Sequence, residues 1–163
     1  MENSNPTNQK DGVNVVVKPP ILFLAFLALG IVLRFMVKLT ILSESRVDYG
    51  YFAGGLLILS GVSLIIWSVK TFKKFGETPH HGKPIHKIIA SGPFKFTRNP
   101  MYLSMTSIYI GLSMIINTYW LLLFLPIMLI ILHYRVILRE EKYLEKKLKK
   151  EYVPYKSQVR RCI

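Results

Sequence analysis

The sequence predicts an all-α integral membrane protein, with about four transmembrane helices, a cytoplasmic amphipathic helix at the C-terminus and no Rossmann domain. Three observations carry that prediction. Hydrophobic residues make up 51% of the 163 positions, and mean hydropathy is +0.33. They come in blocks long enough to cross a bilayer rather than in amphipathic stripes. The formal net charge of +13 sits mostly in two of the polar runs that separate or follow those blocks. A chain of this length is expected to form one domain, without room for a separate soluble module.

Taken in order, residues 1–18 are polar and Asn-rich and read as a flexible tail. They lack the charged start and small-residue cleavage site of a signal peptide, so the first apolar block is expected to stay as an anchor. Pro19-Pro20 opens that block, and the first span is placed at 21–42. Arg34 and Lys38 interrupt it four residues apart, either snorkelling to the interface or making an internal polar contact. Residues 43–48 form a polar turn. Residues 49–69 form a second span, so 19–69 is a pair of transmembrane helices. Gly50, Gly54, Gly55 and Gly61 would let the second span approach a neighbour closely. The 70–100 loop carries seven Lys/Arg against one acid, Glu77. A loop of that length is either functional or disordered.

Asn99 marks the start of the next helix, because a residue before proline avoids the helical region while Pro100 suits a first turn. The third and fourth spans, 101–117 and 118–138, meet at Asn117-Thr118 as a tight hairpin, with a kink expected near Pro126. Residues 139–163 form a charged amphipathic helix and tail holding nine Lys/Arg. The excess of Lys and Arg in the 70–100 loop and this tail places both, with the two termini, in the cytoplasm. That bias accounts for much of the charge without a nucleic-acid partner. The 142–150 run is expected to lie against acidic lipid headgroups.

Two segments would then bring chemistry to one membrane face. The loop contributes His80, His81, His86, Arg98 and Asn99; the end of the fourth span contributes His133, Arg135, Arg139, Glu140 and Glu141. A carboxylate opposite an arginine and a helix N-terminus suits a zwitterionic ligand. The same residues also describe an ordinary solvated helix end. The histidines lack the cysteines and acids that would complete a metal site. The single cysteine, Cys162, excludes an intramolecular disulfide. There is no Ser-His-Asp ordering and no phosphate-cradling glycine loop.

The run Ser91-Gly92-Pro93-Phe94, then Arg98-Asn99-Pro100-Met101-Tyr102, a hydrophobic hairpin, Glu140-Glu141-Lys142-Tyr143-Leu144 and Glu151-Tyr152-Val153-Pro154-Tyr155 resembles the isoprenylcysteine carboxyl methyltransferase family. The wider group includes the phospholipid N-methyltransferases. The resemblance covers about residues 75–161 and implies an integral-membrane methyltransferase with 70–163 as its catalytic region. It implies S-adenosylmethionine as cofactor and a lipophilic, carboxylate-bearing acceptor. The cofactor residues it implies are His86, Lys87, Ile88, Ile89, Phe94, Asn99, Pro100, Met101, Tyr102 and Glu140, with Arg98 and Glu140 at the catalytic centre. Phe94 stands where the family usually has Tyr. The family's substrate-contacting arginine falls on Val136, which leaves Arg135 and Arg139 as the nearby substitutes for holding the substrate.

Methyl transfer from a sulfonium is an in-line displacement, in which alignment alone can supply roughly 7–11 kcal/mol. A carboxylate acceptor would need Arg135 or Arg139 to hold it; an amine would need a base, for which His86 is the nearest candidate. The other readings are a phospholipid-type N-methyltransferase, a sterol-reductase-like relative using a nicotinamide cofactor, and a non-enzymatic basic scaffold. In the last of these, Arg98, Tyr102 and Glu140 merely cap helices.

Overall fold

The structure, a computed structural model, describes residues 18–77 and 87–161. The expected flexible tail (except Lys18), His80, His81, His86 and Cys162 lie outside the described residues. Within them run six α-helices: α1 Pro19–Met36, α2 Val47–Lys74, α3 Pro100–Ile116, α4 Tyr119–Leu132, α5 Leu138–Lys147 and α6 Lys149–Gln158. A five-residue π-helical segment, His133–Ile137, joins α4 to α5, so Tyr119–Lys147 is a continuous helical rod. No strand occurs among the described residues.

The predicted all-α membrane architecture holds. Pro19–Met36, Glu44–Lys74 and Tyr119–Lys147 are long and apolar enough to cross a membrane. The third expected span, α3, is also apolar but has 17 residues, roughly 25 Å at 1.5 Å per residue. Large apolar side chains point outward along the helices, among them Leu24, Val32, Phe52 and Leu59. A helix that is apolar all round is one that lipid, not water, surrounds.

The two centremost helices touch backbone to backbone. A Cβ on Gly54 would lie 2.7 Å from the Gly111 carbonyl oxygen, and one on Gly61 would lie 2.7 Å from that of Ser104. The close approach lets the Ser107 hydroxyl donate across the interface to the Leu57 carbonyl at 2.9 Å. Gly50 faces Leu42 and Met114, whereas Gly55, grouped with the others on sequence, faces open space. On the other side α1 packs on α4, with Gly30 against Leu121. The buried core between them is built from Phe23, Tyr102, Tyr109, Met128, Leu132 and Val136, among others.

Three expectations are corrected. The first helix ends at Met36, not at 42. Residues 37–42 leave the helix because the α3–α4 turn takes up their backbone groups. Asn117, left-handed with φ 53°, accepts from the Ile41 and Leu42 N–H groups at 2.9 and 2.8 Å. It also donates to the Leu42 carbonyl at 3.0 Å. The Tyr119 N–H and the Trp120 indole N–H bond to the carbonyls of Leu39 and Val37, each at 2.9 Å. Lys38 is therefore outside α1 and shares no helix face with Arg34. Second, α2 runs beyond residue 69 to Lys74, which takes the start of the expected loop into the helix. Third, the C-terminal amphipathic helix is two helices, broken at Leu148, where φ is −122° and ψ is 40°. The tight hairpin at Asn117-Thr118 forms as expected, and α4 continues through Pro126.

Candidate functional site

At the end of the bundle away from Asn117, the loop before α3 is fastened between α2 and α6. Gly92 adopts φ +58°, a left-handed conformation that favours glycine, and a Cβ there would lie 2.6 Å from the Thr71 hydroxyl oxygen. Glycine thus both allows the turn and seats it on α2. Pro93 and Phe94 follow in a 3₁₀ turn, Gly92–Lys95, with the Phe94 ring edge-on to Phe72 at 4.9 Å. The Tyr155 hydroxyl donates to the Phe94 carbonyl at 2.8 Å, and Glu151 accepts from the Ile88 N–H at 3.1 Å. Asn99 stands at the boundary of α3, without a side-chain bond to the helix, and Pro100 is its first residue, as the sequence predicted.

The tandem acids of α5 serve two directions, as neighbours about 100° apart on a helix must. Glu140 accepts both lobes of a bond from the Tyr102 hydroxyl, at 2.9 and 2.8 Å. Tyr102 itself is only 5% exposed, so its ring fixes where that carboxylate sits. Glu141 instead faces two arginines. It accepts from Arg98 Nη1 at 2.9 Å and from Arg161 Nε and Nη2 at 2.8 and 2.7 Å. Burial alone would raise the Glu141 carboxyl. The Arg161 bonds and the charges of Arg98, Arg161 and Lys156 outweigh it and hold the group below the usual carboxylate range.

The chain's last described residues complete this cluster as a strap across the start of α3. The Arg98 N–H donates to the Arg160 carbonyl at 3.0 Å. The Asn99 amide and the Thr97 hydroxyl both reach the Arg161 carbonyl, at 2.9 and 3.2 Å. The helix N-terminus expected to receive an anion directly is therefore flanked by the protein's own C-terminal segment.

Between the turn, α5 and α6 lies a cavity of about 110 Å³. Of the residues expected to bind cofactor or act in catalysis, Lys87, Ile88, Ile89, Phe94, Arg98, Asn99 and Glu140 all line it. Tyr102 reaches it through Glu140, while Pro100 and Met101 shape the α3 start without lining it. His86 lies outside the described residues. Arg135 is exposed and Arg139 half-buried, and neither lines the cavity; Val136 is buried in the core.

Phe72, Leu144, Tyr152 and Tyr155 also line it, and sequence reasoning gave them no role. The signal for the two tyrosines was present in the Glu151–Tyr155 motif. For Phe72 and for the Arg161 strap there was none, because their contacts come from residues far along the chain. One donor in the cavity wall is unspent: Arg98 Nε is buried and has no hydrogen-bond partner, while Nη1 serves Glu141 and, at 3.3 Å, the Tyr152 hydroxyl.

A family model described as phospholipid methyltransferase matches residues 49–151. No curated protein and no solved structure matches the chain. The matched stretch takes in nearly all of α2, the Gly92-Pro93 turn, the hairpin, and Glu140 and Glu141 of α5. It supports the wider membrane methyltransferase group rather than the isoprenylcysteine type in particular. Because it spans well over half of the sequence, the cavity and the helices that build it are those of a member of the phospholipid methyltransferase family.

Proposed function

We propose that this membrane methyltransferase uses S-adenosylmethionine, held in the cavity beneath the Gly92-Pro93 turn, to methylate a lipophilic acceptor. One observation carries the reading: a single cavity presents a carboxylate oriented by Tyr102 and a buried guanidinium N–H without a partner. That pair fits the ammonium and the carboxylate of an amino-acid zwitterion. When bound, the cofactor supplies a methyl group on a sulfonium, already activated for displacement.

The chain's residues do the rest. Glu140 holds the ammonium, with Tyr102 preventing the carboxylate from swinging away. Arg98 offers its Nε–H to the cofactor carboxylate while Glu141 holds its other side in place. Ile88, Ile89, Phe94 and Leu144 give the cavity apolar walls that exclude water. Fixing donor and acceptor in this way is the main catalytic contribution available, of the order of 7–11 kcal/mol.

The acceptor enters from the bilayer and the cofactor from the cytoplasm, where the Lys/Arg bias places both termini and the loop. The basic 142–150 stretch rests on acidic lipid heads. An amine-bearing lipid headgroup is the favoured acceptor. Arg135 and Arg139 lie off the cavity, Arg98 is tied to Glu141, and Lys87 sits over the Phe75 ring at 5.5 Å. That arrangement leaves no arginine to seat an acceptor carboxylate. An amine acceptor has to be neutral to react, and His86 is the nearest candidate in the sequence to take its proton. The isoprenylcysteine-type reading, with a carboxylate acceptor, requires Arg135 or Arg139 to turn toward the cleft.

The test is transfer of labelled methyl from S-adenosylmethionine by protein in lipid nanodiscs. Phosphatidylethanolamine and a prenylated cysteine would be offered side by side. Label in the ethanolamine lipid is expected. Label only in the prenylated cysteine would move the assignment to O-methylation, and label in neither, despite bound cofactor, would overturn the lipophilic acceptor.

A further inference from the structure

The Glu141 carboxylate is shared unequally between its two arginines. Arg161 grips it side-on, with Nε on Oε1 at 2.8 Å and Nη2 on Oε2 at 2.7 Å. Arg98 touches only Oε1, through Nη1 at 2.9 Å. In a planar guanidinium Nη1 stands on the side away from the Nε–H edge. Arg98 therefore turns that edge, with its buried and unpartnered Nε, away from Glu141. A carboxylate facing a single arginine favours two parallel bonds to it. Here Arg161 holds Oε2 and fixes the carboxylate plane, so Arg98 is left with one oxygen. The charges follow the same pattern. The side chains of Arg98 and Glu141 are 10% and 8% exposed and would cancel as an isolated pair. Arg161 makes the cluster two cations against one anion. Lys156, the other cation acting on Glu141, is itself paired with Glu145 at 3.3 Å.

We propose that Arg161 is a positioning residue for the cofactor site: by chelating Glu141 it keeps the Arg98 Nε–H, and a net positive charge, for the carboxylate of the methyl donor. The role rests on S-adenosylmethionine occupying the cavity, as proposed above. Arg161 does not line that cavity; it acts through Glu141 and Arg98, which do. Without it, Glu141 would draw Arg98 into a closed two-bond pair, turning the Nε edge and neutralising the charge. The guanidinium can be removed without unfastening the strap, because the bonds from Thr97, Arg98 and Asn99 end on the carbonyls of Arg160 and Arg161. With its side chain 35% exposed, Arg161 is also the member of the network whose loss costs the fold least.

The experiment uses two ligands that differ by one carboxylate. S-adenosylmethionine and its decarboxylated analogue would be titrated calorimetrically into the detergent-purified full chain, with cooperative unfolding verified for each variant. The wild type is expected to bind S-adenosylmethionine more tightly than the analogue. Arg161→Ala should bind S-adenosylmethionine about ten-fold more weakly, the size of effect one charge-assisted hydrogen bond gives, yet bind the analogue within about two-fold of wild type. Adding Glu141→Gln to Arg161→Ala should recover most of that loss, because an amide offers Arg98 one acceptor and no charge to cancel. The same addition should lower the unfolding midpoint further. A purely structural role would move affinity and stability in the same direction. Equal weakening of both ligands by Arg161→Ala, unchanged affinity for S-adenosylmethionine, or a double variant that binds worse than the single one would overturn the proposal and leave the cofactor reading in place. A folded wild type that binds neither ligand would overturn both.

Discussion

The two ends of the helical bundle are closed by different chemistry. At one end a single neutral side chain, Asn117, makes three hydrogen bonds to the backbone of residues 41 and 42, and two more from Tyr119 and Trp120 tie down 37 and 39. Those contacts bring no charged group. At the other end Arg98, Glu141 and Arg161 form a charged network around a cavity. There Arg98 Nε has no partner and a second carboxylate, Glu140, is held by a tyrosine. An end that only has to terminate helices can satisfy its backbone with one asparagine. The other end keeps buried charge and an unspent donor, a costly arrangement that a folding role alone does not explain.

That contrast can be broken most severely at Arg98. Arg98→Ala leaves Glu141 buried with half its partners and removes the cavity's free donor. We expect about 3–5 kcal/mol of lost stability together with loss of detectable S-adenosylmethionine binding, measured by chemical unfolding in detergent and by titration. Asn117→Ala should cost less, about 2–4 kcal/mol for its three bonds, and should leave cofactor affinity within two-fold. If it weakened binding as much as the Arg98 change, the two ends would not be separable.

Acid should distinguish the ends as well. The Glu141 carboxyl is held below its ordinary value in the fold, so its contribution is complete above about pH 4.3 and is lost as pH falls through the lowered value. Hydrogen exchange should therefore show the amide of Arg98 losing protection on acidification before the Ile41 and Leu42 amides do. The smallest expected effect is Tyr102→Phe, which frees Glu140 to move but keeps its charge. A loss of about ten-fold in cofactor affinity, near 1.4 kcal/mol, with unchanged selectivity among acceptors, would sharpen the view of Tyr102 as a positioning residue.

Much of this was legible in the amino-acid order because it is written locally. Apolar blocks bounded by Lys and Arg announce spans, and the Asn99-Pro100 pair announces a helix start through proline's own geometry. Residues 37–42 misled because they too are mostly apolar, and the groups that draw them out of the helix come in part from Asn117, 75 and 76 positions away. The site was half legible. Glu140 and Arg98 were expected together and do line one cavity, but Arg98 pairs with Glu141. Which of two adjacent acids turns which way depends on the phase of the rod. The π-helical turn at His133–Ile137 resets that phase one turn before them, and no residue type in that segment signals it. The strap was not legible, since the bonds from Thr97, Arg98 and Asn99 all end on the backbone carbonyls of Arg160 and Arg161, which any sequence carries.

The central claim is that the charged end, through Glu140, is where the methyl donor sits. Calorimetric titration of S-adenosylmethionine into detergent-purified protein tests it directly, with wild type, Glu140→Ala and Asn117→Ala measured together. The account predicts saturable binding by the wild type and by Asn117→Ala, and none by Glu140→Ala that still unfolds cooperatively. Binding that survives Glu140→Ala, or no binding by a folded wild type, would contradict it.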